Sequence, residues 1–77
     1  MEFEKIEEKL SEFTNSINFL NKETNDLYSW VSKVKNNKKA SYLMWALHFL
    51  SSGLDEITAS VLFIESLVKD MKKEEKQ

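Results

Sequence analysis

The sequence predicts an all-α protein, a long antiparallel two-helix hairpin, and three observations carry that prediction. Two apolar runs recur at alternating spacings of three and four, the signature of a heptad seam. The first is Phe3, Ile6, Leu10, Phe13, Ile17, Leu20, Thr24, Leu27, Val31 and Val34, with the hydroxyl of Thr24 as its one lapse. The second is Ala40, Leu43, Leu47, Leu50, Leu54, Ile57, Val61, Ile64, Val68 and Met71. Folding the chain back near Asn37 sets Val34 opposite Ala40, Thr24 opposite Leu50 and Phe3 opposite Met71, and leaves a connection of only five residues, an ordinary helix-to-helix length. The third observation is what is missing: there is no proline and a single glycine, the residues that normally interrupt helices.

The elements follow in order within one domain, residues 1–77. Helix one is expected over about 2–34. Its first turns carry Glu2, Glu4, Glu7 and Glu8, and Lys33 and Lys35 close it, the charge order that the helix dipole favours. The turn is expected at 35–39, because Asn36 and Asn37 tolerate the left-handed conformation that ends a helix and can cap the next one. Helix two is expected over about 38–73. Ser52 followed by Asp55 resembles a cap signal, and Gly53 costs about 1 kcal/mol against alanine within a helix. The seam nevertheless keeps its phase through Leu50, Leu54 and Ile57, which predicts one continuous helix.

Helix two carries more apolar surface than a single partner helix can cover. Off the seam lie Tyr42, Trp45, Phe49, Ala59 and Phe63, and a helix that is apolar on two faces expects burial on two sides. A 77-residue hairpin with one seam also seldom offsets the entropy of ordering its chain. Both points predict dimerisation into a four-helix bundle through helix two, with Trp45 and Phe49 as anchors for a further protein. Helix one adds Phe19, away from the seam, and Tyr28 and Trp30, which flank it and are expected to pack over Leu27 and Val31.

Composition excludes several function classes. Without cysteine there is no disulfide or thiolate chemistry, and His48 is the only histidine, so the Glu-x-x-His pairs of di-metal bundles cannot form. Asp55 and Glu56 are sequence neighbours and point apart on a helix, which suits solvated charges better than an acid/base pair. No phosphate-binding glycine loop or nucleophile elbow is present. The expectation is a protein that is not an enzyme and needs no cofactor or metal. The start of the chain lacks the basic and apolar regions of a secretory signal, and the longest uncharged stretch, Ala40 to Leu54, falls short of a membrane span. A soluble, cytoplasmic protein is therefore expected, with membrane contact disfavoured.

Charge supplies the alternative reading. Eleven lysines, no arginine and thirteen acidic residues give a net charge of −2, unlike an electrostatic nucleic-acid binder. Yet Lys33, Lys35, Lys38 and Lys39 gather four positive charges at the turn, opposite an acidic chain start. In form the molecule resembles the small Rop-type hairpin dimers that bind RNA, without a shared residue motif. That resemblance implies nucleic-acid contact through the lysine-rich turn. The leading expectation stays a small homodimeric regulatory or inhibitory protein that binds another protein through Tyr42, Trp45, Phe49, Phe63, Phe19 and Trp30.

Overall fold

A computed structural model of the chain describes residues 3–76 and shows two helices, α1 (Phe3–Val31) and α2 (Lys38–Lys76), packed as an antiparallel hairpin. The hairpin measures 64 × 15 × 12 Å, and its radius of gyration of 17.9 Å far exceeds the roughly 11–12 Å of a compact chain of this length. Such a rod has no central interior. Everything buried lies along the line where the two helices meet.

Both helices end close to where local chemistry places them. α1 stops at Val31, three residues before the expected Val34, because its last turn tightens: Lys33 N–H donates to the Trp30 carbonyl at 3.2 Å and Val34 N–H to Val31 at 3.0 Å. The expected start at Glu2 lies outside the described residues. The connection therefore runs over 32–37 rather than 35–39. Within it Asn36 takes a φ of 60°, the left-handed conformation that asparagine tolerates. Asn37 then caps α2: its side-chain Oδ1 accepts from Lys39 N–H at 2.9 Å, and its carbonyl accepts from Ala40 N–H at 3.1 Å. α2 passes through Ser52, Gly53 and Asp55 without a break and continues past the expected end at Lys73 to Lys76.

The seam is where the structure departs from the sequence reading. With Leu10 and Leu47 each at heptad position a, the buried residues are Leu10, Ile17 and Thr24 in α1 and Leu47, Leu54, Val61 and Val68 in α2, all at position a and only 3–8% exposed. Apart from Ile6, which packs half-buried against the core, the d row, expected to share that burial, does not. Phe13, Leu20, Leu27, Val34, Leu43, Leu50, Ile57, Ile64 and Met71 remain 38–53% exposed. The helices meet along positions a and e instead. Two e-to-e contacts fix the register: Lys72 Nζ pairs with Glu7 Oε1 at 2.9 Å, and Thr14 Oγ1 lies 3.4 Å from Glu65 Oε1.

Leu10, Ile17, Val61 and Val68 form one buried cluster, so Leu10 meets Val68 rather than the expected Ile64. This shift of four residues is one helical turn, about 6 Å. At the middle of the seam the e residues Thr14, Asn21, Ser51 and Thr58 are smaller than the d row, which favours meeting along a and e there, while Tyr28, Met44 and Glu65 at e are large. The longer connection supplies the slack. Thr24, buried at 5%, satisfies its hydroxyl within its own helix by donating to the Leu20 carbonyl at 2.7 Å.

Candidate interaction surfaces

Because α1 and α2 run antiparallel and meet along a and e, helical rotation turns both d rows to the same side of the hairpin. One broad face therefore carries Phe13, Leu20 and Leu27 from α1 beside Leu50, Ile57 and Ile64 from α2, all more than two-fifths exposed. Between the helices on this face runs a groove lined by Leu10, Phe13, Ile57, Val61 and Ile64, with Glu56 and Ser60 as its polar members. The groove on the e side is different. It is lined by Glu7, Ser11, Thr14, Glu65 and Lys69 with Leu10 and Val68 at its floor, and the Glu7–Lys72 ion pair lies along it. One side of the hairpin is thus rimmed by polar and charged groups, and the other is open and mainly apolar.

The aromatic residues singled out from the sequence occupy a third surface. Tyr42, Phe49 and Phe63 fall at position c of α2, on the side of the helix turned away from α1, and Trp45 at position f lies next to them; all four are 64–73% exposed. Tyr42, Trp45 and Phe49 share two successive turns, whereas Phe63 is separated from them by Glu56 and about 21 Å of helix. Trp45 and Phe49 line a shallow groove with Ser41, Met44, His48 and Ser52. Phe19, 62% exposed, takes the corresponding outward position on α1 and does not join the α2 stripe. Trp30, 63% exposed, sits at position g near the turn and borders the open d face rather than packing over the seam.

Tyr28 and His48 form a contact that the sequence did not announce. Their rings meet edge to face across the two helices, with centroids 5.2 Å apart and planes at 82°, and the His48 ring leans on Trp45 at 6.2 Å. The Tyr28 hydroxyl is buried without a hydrogen-bond partner. The only sequence signal was the position of Tyr28 at e. Reading it required knowing that e, and not d, faces the partner helix.

Electrostatics also differ from the expected end-to-end polarity. The hairpin places the acidic start of α1, Glu4, Glu7 and Glu8, beside Lys69, Lys72 and Lys73 of α2, so the open end carries both signs. At the other end Lys33, Lys35, Lys38 and Lys39 stay together, all exposed. Lys38 and Lys39 occupy the first turn of α2, which holds no acidic residue, although a helix N-terminus disfavours positive charge.

Among the described residues, no group of three or more His, Asp or Glu side chains comes together to hold a metal ion. By length and composition α2 is apolar enough to cross a membrane, reaching a mean hydropathy of 1.2 over a window that is 17% buried. The uncharged run from Ala40 to Leu54 had suggested otherwise; a span read through Asp55 and Glu56 passes. No protein-family model matches the chain, and no curated protein or solved structure matches it.

Proposed function

We propose that this chain is a non-catalytic binding module that works as a homodimeric four-helix bundle and engages another protein through the aromatic surface that the bundle leaves outside, in a regulatory or inhibitory role. One observation carries the reading: among the described residues six apolar side chains are buried, while seventeen large hydrophobic ones are exposed. A hairpin with that ratio has its folding free energy still to be completed by contact with another surface. Polypeptide suits that surface better than lipid does. Asp55 and Glu56 lie mid-way along α2, where each carboxylate in hydrocarbon costs roughly 2.5–3.5 kcal/mol.

Light scattering at micromolar concentration tests the assembly, with twice the chain mass expected; a monodisperse, stable monomer would overturn the proposal. Capture from host extract by the wild-type dimer, compared with Trp45→Ala/Phe49→Ala, tests the partner surface. The expected outcome is a discrete protein retained by the first and lost by the second. A second reading, nucleic-acid binding at the turn, draws support from Lys38 and Lys39 standing where the α2 dipole opposes them. It predicts affinity that falls steeply with salt.

A further inference from the structure

The open d face fits a second copy of this chain in one particular way. On α2 the residues beside the d row, at position g, are small through the middle of the helix, at Ala46, Gly53 and Ser60, with Lys39 before them and Leu67 and Glu74 after. Space next to Gly53 is free: a Cβ built on it meets nothing within 4 Å. Large residues at d thus alternate with small ones at g along a single exposed stripe. Two such stripes laid antiparallel about a two-fold axis at Asp55 place each large residue against a small one. Leu50 meets Ser60 of the other copy, Ile57 meets Gly53, and Ile64 meets Ala46, with every contact repeated by symmetry. Large side chains meet only towards the ends, in Leu43 with Leu67 and in Met71 with Lys39.

The area argues for a copy as the occupant. The chain exposes 6551 Å², whereas a compact monomer of 9.1 kDa exposes about 4,900 Å². Two free hairpins condensed into one compact body of twice that mass would hide up to about 5,000 Å² in total, within the range of obligate homodimers. The polar e side offers no comparable surface, since Glu7, Lys72, Thr14 and Glu65 already occupy it.

We infer that the homodimer forms through the d and g positions, with α2 packed antiparallel on α2 of the second copy and Gly53 seated under Ile57, and that the outward aromatics Tyr42, Phe49 and Phe63 are not its contact. This inference rests on the self-association proposed above and specifies the face that performs it. It departs from the sequence expectation that the aromatic stripe of α2 is the dimer contact.

Three variants test it by sedimentation equilibrium, with circular dichroism as the control for folding. Gly53→Glu/Ser60→Glu places two long acidic side chains in open space on the hairpin but inside the inferred interface, so the dimer dissociation constant should rise at least a hundredfold with helicity retained. Tyr42→Ser/Phe49→Ser/Phe63→Ser should change it by less than tenfold. In Leu50→Cys/Ser60→Cys the two thiols lie about 15 Å apart along one helix, too far to close within a chain, and oxidation should yield a covalent dimer.

If the aromatic variant dissociates the dimer and the acidic variant does not, self-association stands and the d/g assignment falls. If the wild type dimerises but the cysteine pair never cross-links, the two-fold is not at Asp55 and the register is overturned. A wild type that stays monomeric throughout overturns both this inference and the homodimer proposal. Should the acidic variant lose helicity, the cross-link decides.

Discussion

Replacing Thr24 by valine should leave the stability of the hairpin nearly unchanged, and the structure sets the size of the effect. Thr24 is 5% exposed on the buried a row, and its Oγ1 donates to the Leu20 carbonyl at 2.7 Å. Valine has nearly the same shape, so no cavity opens. The lost hydroxyl bond is worth about 0.5–1.5 kcal/mol net, but the Leu20 carbonyl keeps its place in the α1 backbone ladder and is not orphaned. That net figure already contains the desolvation of the hydroxyl, so against it stands the methyl newly buried, about 0.8 kcal/mol. The balance runs from a loss of about 0.7 kcal/mol to a gain of about 0.3 kcal/mol, a change of no more than about 6 °C in Tm for a domain of this size. Thermal melts followed by circular dichroism, at one fixed protein concentration so that association does not shift the midpoint, measure it. Thr24→Ser is the companion variant, keeping the hydroxyl while deleting a buried methyl, and should lower Tm. A Thr24→Val protein that loses more than about 1 kcal/mol with helicity intact would refute the reasoning. The hydroxyl would then be bonding across the seam rather than within its own helix.

Leu54 is the most buried residue at 3%, so Leu54→Ala should cost about 2–5 kcal/mol in urea melts, whereas Leu50→Ala, on the open face at 48% exposure, should cost clearly less at concentrations where the chain is monomeric. Asn37→Ala removes the side-chain cap on Lys39 N–H and should cost about 1 kcal/mol, while Asn36→Gly, at a φ of 60°, should be neutral or slightly stabilising by the same melts. Replacing Lys33, Lys35, Lys38 and Lys39 together by Gln should leave protein-partner binding within about tenfold at physiological salt, a loss of at most about 1.4 kcal/mol by titration calorimetry. If instead that variant loses function with its helicity and mass unchanged, the lysine-rich turn is the active surface.

Periodicity and turn chemistry made the hairpin legible in the sequence. The threes-and-fours spacing of both runs, the absence of proline and the Asn36–Asn37 pair fix two helices and the place where they reverse, because these signals act within a few residues of themselves. The exposed aromatics at Tyr42, Trp45, Phe49 and Phe63 were legible for the same reason, lying off both seam rows. What the sequence left open was which edge of each apolar stripe turns toward the other helix. A heptad pattern defines a stripe wide enough to be met at a and d or at a and e, and the choice rests on contacts between residues about fifty positions apart, such as Thr14 with Glu65. Only the packed hairpin decided that position a alone is buried, that the register slides by one turn, and that the acidic start of α1 meets the lysines of α2. The same rotation that buries the a row exposes the d row, so the open apolar face beside Gly53 is a product of tertiary packing that periodicity alone could not place.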